Sequence, residues 1–374
     1  IMAFIHSIEI NNFRGIKHLT ISDFSNINLI VGDNNSGKTT FLEATQLLFA
    51  KPQLSAIKNV INQRTVLNPN NSFYTSFIKM FNAQLENDKL WFYIYASTDK
   101  GILEFELSGT EKSISGEEAL QISKMSSRQK AQYKMSSFYI PDMAKIFMGR
   151  LATRNGNMES EKKISCTSLD NGAQGPLAKK EVYYISSFGH LRYDLLQNIV
   201  GNPEYKKLAI DILKQFDNNI ADICYTKADD GTYLETIITN NGINMPFSVY
   251  GDGIRKILFI LNRMFAAADS ILMIDEIETG LHKKYFDILF PVVFALADKL
   301  NVQLFIATHS IEAIDAILKY GNYDKTMSNI DPIRVITLKK LDSDNGSGSN
   351  IVARNASGKY VYNNRKVFEF EVRL

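Results

Sequence analysis

The segment that most constrains the fold of this chain is the octapeptide from Gly32 to Thr39, which reads Gly-Asp-Asn-Asn-Ser-Gly-Lys-Thr. It fits the pattern G-x-x-x-x-G-K-[ST] of a phosphate-binding loop. The apolar run 27–31 precedes it as a predicted strand, and residues 40–49 follow it as a predicted helix. A Gly-rich turn before a helix is the alternative, but it does not explain the Lys-Thr pair at that offset. We therefore expect an α/β nucleotide-binding fold.

The residues of this loop suit the binding of a nucleoside triphosphate. Its glycines, Gly32 and Gly37, let successive amides point at the β- and γ-phosphates, and the helix N-terminus adds partial positive charge. Lys38 is expected to neutralise phosphate charge, and Thr39 to ligate Mg²⁺ through its hydroxyl. ATP and Mg²⁺ are the predicted cofactors, and the other predicted nucleotide contacts in this segment are Asn34, Asn35, Ser36 and Thr40.

Composition places the chain among ordinary globular proteins. The 42 Lys and Arg residues nearly balance 40 Asp and Glu, so no global field demands nucleic acid or a membrane surface, although a local basic patch remains possible. The two cysteines, Cys166 and Cys224, exclude a disulfide scaffold and a C-x-x-C metal site. The N-terminal apolar run is too short for a signal sequence, and no apolar stretch approaches the roughly 20 residues of a membrane helix. We expect a cytoplasmic protein with no membrane partner.

Three regions are predicted along the chain. Residues 1–108 carry the phosphate loop, two or three strands before it, and an antiparallel hairpin formed by 90–95 and 102–107. Residues 109–180 are expected to be an insertion, helical over 115–150 and polar and mobile over 153–180. The α/β pattern resumes in 181–374, with a strand at 181–186, helices near 191–200 and 204–222, and strands near 223–226 and 232–239.

Two further predicted strands end in polar residues that could complete a hydrolytic site. Strand 271–274 is followed by Asp275 and Glu276, which suit a metal ligand and a general base respectively. Strand 303–308 is followed by His309, a candidate sensor of the γ-phosphate. Acidic residues in a loop and a satisfied histidine are the alternatives, but ligands of open α/β sheets collect at strand C-termini.

A serine and two glycines precede a predicted helix shortly before the acidic strand. These residues are Ser248, Gly251 and Gly253, and apolar side chains at helical spacing follow them from Ile254 to Phe265. The segment suits a second anion-binding site at a helix N-terminus. An ordinary N-cap and turn is the alternative.

With these pieces in order, the chain resembles the ABC-type ATPase heads of the SMC, RecF and OLD group. The resemblance is closest to the OLD-like AAA family ATPases of bacterial phage-defence systems. It rests on Asn12 to Ile16 with Ile27 to Leu42, on Ser248 to Gly253, on Ile274 to His282, and on Phe305 to Ser310.

The resemblance implies a role for each matching residue. Lys38 and Thr39 correspond to the Walker A pair, Asp275 and Glu276 to the Walker B aspartate and catalytic glutamate, and His309 to the switch histidine. The tripeptide Gly280-Leu281-His282 corresponds to the D-loop. Ser248, Gly251 and Gly253 would contact the γ-phosphate held by a second subunit, which implies a homodimer or a higher homo-oligomer. Arg14 corresponds to an arginine that reaches the nucleotide, and a surface ion pair is an equally good account of it.

Two departures from the family pattern matter. The segment Ser248 to Gly253, which corresponds to the signature motif of the family, reads Ser-Val-Tyr-Gly-Asp-Gly. The transporters of this family have Leu-Ser-Gly-Gly-Gln there, so the difference argues against a transport ATPase. No glutamine follows the strand 181–186, so the Q-loop function is in doubt, and His190 or Arg192 could substitute.

Some OLD-like proteins append a TOPRIM nuclease, which this chain is not expected to contain. Asp342-Ser343-Asp344 has the D-x-D pattern, but it lies in residues of turn composition, and the chain after His309 is short for such a domain. The resemblance therefore suggests an ATPase subunit in antiviral defence that controls a separately encoded effector, for which such a nuclease is a candidate. A RecF-like ATPase that binds DNA in repair is the alternative.

Overall fold

The computed structural model describes residues 5–65, 72–82, 89–123, 141–170, 182–191, 194–323, 331–342, 349–368 and 371–372. Its strands are β1 (Ile5–Phe13), β2 (Ile16–Ser22), β3 (Ile27–Val31), β4 (Lys89–Thr98), β5 (Gly101–Ser115), β6 (Met143–Asn155), β7 (Met158–Thr167), β8 (Val182–Ile185), β9 (Ile220–Lys227), β10 (Tyr233–Thr239), β11 (Asn244–Pro246), β12 (Ile271–Ile274), β13 (Gln303–Thr308), β14 (Ile333–Asp342) and β15 (Ser349–Ser357). Its helices are α1 (Lys38–Leu48), α2 (Leu54–Thr65), α3 (Phe73–Ile78), α4 (Gly116–Ile122), α5 (Gln197–Val200), α6 (Pro203–Leu213), α7 (Asp252–Ala266), α8 (Phe286–Lys299), α9 (Ile311–Tyr320) and α10 (Gly358–Phe368).

A six-stranded sheet carries the three predicted motifs. Its order is β15-β14-β3-β13-β12-β8, and every neighbouring pair is parallel except β14 with β15. The strands β3, β12 and β13 are fully buried and almost continuously apolar, as strands covered on both faces must be. The predicted α/β architecture with a parallel central sheet is therefore confirmed.

A second six-stranded sheet is antiparallel, in the order β2-β1-β4-β5-β6-β7. It contains the predicted hairpin as β4 and β5, whose register runs from Lys89 opposite Thr110 to Thr98 opposite Gly101. The small sheet β11-β10-β9 follows α6. That helix ends at Leu213 and β9 begins at Ile220, so the helix predicted near 204–222 is shorter than expected.

The prediction of helix over 115–150, within the insertion 109–180, is wrong for the described part of that region. Helix there is confined to α4, while β6 and β7 extend the antiparallel sheet. Buried side chains such as Ile146, Leu151 and Ile164 are separated by exposed polar and Met residues, which hides the two-residue period of the strands. Pairing with β5 overrides the helix propensity of the Met and Lys residues.

Two hydrophobic cores lie on opposite faces of the parallel sheet, because alternate residues of a strand point to opposite sides. Leu29 and Leu272 pack in one core with helices α5 to α9. Ile30 and Met273 pack in the other with α1, α2, α3 and the antiparallel sheet. The cores fix the sheet between its two layers, so its C-terminal edge is held rigidly. Within the described residues, no helix is both long enough and apolar enough to cross a membrane.

Candidate active site

The ends of three adjacent parallel strands bring the predicted motifs together. Val31 is level with Thr308, and Ile274 is level with Ile306, so β3, β13 and β12 end at the same edge. Gly32, His309 and Asp275 are the residues that follow these strands directly. The site predicted from sequence is thus assembled at the C-terminal edge of the sheet.

The phosphate loop has a backbone that requires its glycines. Gly32 and Gly37 have φ of 148° and 101°, and Asn35 lies in the left-handed region at 64°. A Cβ on Gly32 would lie 2.3 Å from the carbonyl oxygen of Leu338, and one on Gly37 would lie 2.5 Å from Cδ1 of Ile351. The hairpin of β14 and β15 therefore packs against the loop. Helix α1 begins at Lys38, directly after Gly37.

Lys38 closes the loop on itself. Its Nζ donates hydrogen bonds to the carbonyl oxygens of Gly32 at 2.7 Å and Asp33 at 2.8 Å, and its side chain is buried. Burial lowers the pKa of Lys38, and the negative charges of Asp275 and Glu278 act against that change. The ammonium is therefore held at the position where phosphate oxygens would replace loop carbonyls as acceptors.

The other predicted nucleotide contacts of the loop fall into two groups. Asn34 and Asn35 are exposed at its tip, while Ser36 and Thr40 are buried at its base. The buried pair thus supports the loop, and the exposed pair is open to a ligand.

Thr39 and Asp275 link the loop to the acidic strand. The hydroxyl of Thr39 donates to Oδ2 of Asp275 at 2.8 Å, and the hydroxyl of Tyr184 donates to the same oxygen at 3.0 Å. The backbone N–H of Asp275 also donates to the carbonyl of Ile185 at 2.9 Å. Tyr184 was missed by sequence reasoning, since nothing in a short apolar strand marks one tyrosine as a partner of a carboxylate 91 positions away.

Glu276 has an unusual backbone for a residue with a side chain, with φ of 47°. Its carbonyl accepts from the N–H of Thr279 at 3.0 Å, and its Oε2 accepts from the Thr279 hydroxyl at 3.2 Å. A non-glycine residue in the left-handed region costs free energy and is found preferentially where function requires it. The Glu276 carboxylate therefore bonds Thr279, whereas that of Asp275 bonds Thr39 and Tyr184.

His309 is held by Glu278, a residue to which the sequence reasoning gave no role. Oε1 of Glu278 lies 3.0 Å from the ring Nδ1 of His309. The same oxygen accepts a hydrogen bond from the backbone N–H of His309 at 3.0 Å. Glu278 is largely buried, while the His309 side chain remains partly exposed. Its position two residues after Glu276 is the one sequence signal that could have found it. The pair fixes the histidine at the end of β13.

The predicted signature segment lies at the start of α7. Ser248 is exposed in a short 3₁₀ helix, Phe247–Val249, and Gly251 precedes α7 without a side-chain cap on the helix. Among the described residues, no hydrogen bond joins Ser248 to the phosphate loop. A Cβ on Gly253 would lie 3.5 Å from the carbonyl oxygen of Gly280, so α7 begins against the D-loop of its own chain.

Two residues considered as further ligands have structural contacts instead. His190 is 2% exposed, its Nε2 lies 3.4 Å from the Cβ position of Gly280, and burial together with the charge of Lys256 lowers its pKa to about 4. A neutral histidine packed beneath the D-loop is a poor replacement for a Q-loop glutamine, and Arg192 lies outside the described residues.

Arg14 binds the buried Glu43 of α1 through Nε at 2.8 Å, so the ion-pair alternative is observed, in a largely buried form.

The part of the chain that the structure covers offers no cluster of three or more His, Cys, Asp or Glu residues suited to a metal. Ser343 and Asp344 of the D-x-D pattern lie outside the described residues.

Comparison with known proteins agrees with this geometry. The model of the family described as "AAA domain, putative AbiEii toxin, Type IV TA system" matches residues 27–315. An "ATP/GTP phosphatase" of Helicobacter pylori is 24% identical over 342 residues, which cover 85% of this chain and 90% of that protein. The "DNA replication and repair protein RecF" of Nitrosococcus oceani is 45% identical over 47 residues, 13% of each protein.

The fold also matches a solved structure. The Smc head domain with an extended coiled coil, bound to the C-terminal domain of ScpA derived from Pyrococcus furiosus, superposes with a TM-score of 0.50 and 11% identity, covering 98% of this chain and 100% of that chain. At this identity the likeness concerns the fold alone. The predicted ABC-type ATPase head is confirmed as the fold class.

Proposed function

Because the chain belongs to the AAA-domain family whose model matches residues 27–315, we propose that it is a switch in which two copies close around ATP and separate after hydrolysis. The chain is a P-loop ATPase of the SMC and RecF type. We propose roles for the individual residues, a site shared by two copies, and a use for the hydrolysis.

The bond between Thr39 and Asp275 is the observation that carries the proposed site. Both are hard oxygen donors, they lie 2.8 Å apart, and they follow Lys38 and the acidic strand respectively. Mg²⁺ in nucleotide sites usually takes one or two protein oxygens and completes its shell with phosphate and water. These residues fit that requirement, so Thr39 and Asp275 would hold Mg²⁺, which would neutralise charge on the phosphates.

Glu276 and His309 would act at the γ-phosphate. The Glu276 carboxylate, which does not share the Thr39 bond of Asp275, would accept a proton from the attacking water. His309, oriented by Glu278, would donate a hydrogen bond to the γ-phosphate and so report its presence. Lys38 would exchange the carbonyls of Gly32 and Asp33 for phosphate oxygens.

A second copy would supply the signature residues. Ser248 is exposed, no hydrogen bond joins it to its own phosphate loop within the described residues, and α7 follows Gly251 with no side chain capping its first turn. Such a helix start offers N–H donors and partial positive charge to an anion. Ser248, Gly251 and Gly253 of one copy would therefore contact the γ-phosphate on Lys38 of the other, and charge-assisted bonds would close the pair.

The switch would control a separately encoded effector in antiviral defence. The motif resemblance to phage-defence ATPases supports this role, and the family description, which names a toxin of a Type IV TA system, is compatible with it. A RecF-like ATPase that clamps DNA is the second candidate, supported by the RecF match and by the Smc-head fold. DNA-stimulated turnover with binding that weakens steeply as salt rises would favour the second candidate.

Replacing Glu276 by Gln tests the shared site directly. Without a general base, E276Q is expected to bind ATP, hydrolyse it at least about a hundredfold more slowly and accumulate as a dimer. Light scattering on the eluting protein, with and without ATP, measures the dimer, and K38A is the control that should stay monomeric. Wild-type turnover by E276Q would refute the base assignment, and an ATP-bound E276Q monomer would refute the dimer.

A further inference from the structure

Lys256 is a fully buried lysine in the middle of the proposed switch. It lies on α7, three residues after Gly253, and its side chain is 0% exposed. Lysine is almost never fully buried unless it is paired, because removing an ammonium from water is costly. Apolar side chains of similar volume can often replace a whole buried ion pair without loss of stability, so a buried charge is weak evidence for a stabilising role. Stability alone therefore does not explain this residue.

The contacts of Lys256 connect α7, the helix that follows the signature segment, with Asp275, the candidate metal ligand. Its Nζ donates to the carbonyl oxygen of Ser187 at 3.1 Å. Ser187 follows β8 by two residues, and the end of β8 holds Asp275 through the Ile185 carbonyl at 2.9 Å and the Tyr184 hydroxyl at 3.0 Å. A short chain of hydrogen bonds and covalent links therefore joins α7, β8 and the end of β12.

The charges around Lys256 belong to the same site. Burial lowers the pKa of Lys256 to about 8, and the carboxylates of Glu278, Asp275 and Glu276 are the charges that act to raise it. The ammonium is thus attracted by the three acidic residues that follow β12.

We propose that Lys256 is a positioning residue that couples the signature helix to the hydrolysis site. Its bond to the Ser187 carbonyl holds α7 near the end of β8, whose residues Tyr184 and Ile185 hold Asp275. In this position α7 would present Ser248 to the nucleotide of a second copy. The inference rests on the proposed dimer switch, because it assigns α7 the role of presenting Ser248 to a partner.

Three variants test the coupling. K256M keeps the length and volume of the side chain without its charge, and K256R keeps the charge. K319M is the matched control, because Lys319 is exposed and pairs only with Asp287 on the surface among the contacts described for it. We expect K256M to fold and to unfold cooperatively in urea, to bind a fluorescent ATP analogue within about twofold of wild type, and to hydrolyse ATP about tenfold more slowly.

The conservative change separates coupling from packing. K256R is expected to recover most of the lost kcat, and K319M is expected to match wild type throughout. The coupling also predicts that adding K256M to E276Q weakens the ATP-dependent dimer of E276Q.

Several outcomes would overturn the inference. They are a K256M kcat within about twofold of wild type, a loss of ATP affinity that accounts for the loss of rate, or a K256R variant as slow as K256M. If K256M does not fold, K256Q replaces it, and failure of both to fold would show that the charge serves folding and not coupling. A wild-type protein that never dimerises with ATP would refute the dimer switch separately, and the kcat of K256M would still decide whether Lys256 acts on hydrolysis.

Discussion

Two of the candidate functional residues are held by a residue from a different motif. Thr39 of the phosphate loop donates to Asp275 of the acidic strand, and Glu278 accepts the backbone N–H of His309 and lies 3.0 Å from its ring Nδ1. Side chains locked in this way lose little further entropy when a ligand arrives, which is the advantage of a preorganised site. Replacing one residue of such a pair should therefore disturb the other residue, even where the replaced residue does not itself contact the nucleotide.

Glu278 allows this idea to be tested. In E278Q the amide retains an oxygen for the backbone N–H of His309 but loses the charge that faces the ring. We expect nucleotide affinity within about twofold of wild type and a kcat about tenfold lower, because the histidine would be poorly oriented only at the hydrolytic step. Single-turnover ATP hydrolysis and equilibrium binding of a fluorescent analogue measure the two quantities.

A matched control comes from the antiparallel sheet. Glu161 forms an exposed ion pair with Arg150 at 3.1 Å, so E161Q removes a carboxylate of the same kind away from the site. Exposed pairs contribute little to stability, and E161Q should hydrolyse ATP at the wild-type rate. Equal rates for E278Q and E161Q would show that Glu278 does not position His309.

At the level of elements, local sequence patterns identified the parts of the fold that are continuous in the chain. The loop Gly32 to Thr39, the strand before Asp275 and the strand before His309 have buried apolar runs next to polar ends, and the structure places all three as expected. The rule that parallel strands end at one edge then brings the three motifs together. This part of the site could therefore be predicted from local sequence, without knowing which distant residues are in contact.

The elements that were missed depend on pairing between segments far apart in sequence. The strands β6 and β7 have little apolar alternation, and their hydrogen bonds with β5 and with each other decide their conformation. Ile351 supports Gly37 from the far end of the chain, and Lys256 meets Ser187 across 69 positions. No local pattern records such contacts, because only the assembled sheets bring these residues together.

The hairpin of β14 and β15 provides an element-scale prediction at Gly37. In G37A the new Cβ would meet Cδ1 of Ile351 at 2.5 Å, in a backbone conformation with φ of 101° that alanine rarely adopts. We expect a loss of about 1–3 kcal/mol in the free energy of unfolding and a fall of at least about tenfold in ATP affinity. Urea unfolding and nucleotide titration measure these changes.

Gly201 offers the comparison for G37A. It follows α5 with φ of −70°, and nothing lies within 4 Å of its Cβ position. G201A should therefore be as stable as wild type or slightly more stable, because alanine restricts the unfolded chain without straining the folded one. If G37A were as stable as G201A and bound ATP normally, the hairpin would not constrain the phosphate loop.

At the scale of the whole molecule, the two hydrophobic cores hold the parallel sheet rigidly while its C-terminal edge carries Lys38, Asp275 and His309. Ser248 is exposed and has no hydrogen bond to the phosphate loop in the described part of the chain. In the proposed switch the separated signature of one copy would complete the site of another, and a two-fold pair would complete two sites at once.

Mixing two inactive variants decides whether the site is shared. K38A removes the phosphate-binding ammonium, and S248R places a bulky charge at an exposed position where folding should be unaffected. Each variant alone should be nearly inactive, because both sites of its own dimer carry the defect. In a mixed dimer one site has both defects and the other has neither, so an equimolar mixture should recover about a quarter of the wild-type turnover per chain. Differently tagged copies captured together verify that mixed dimers form. Mixed dimers without recovered activity would mean that each copy completes its nucleotide site from its own residues, and a fully active S248R would remove Ser248 from the site.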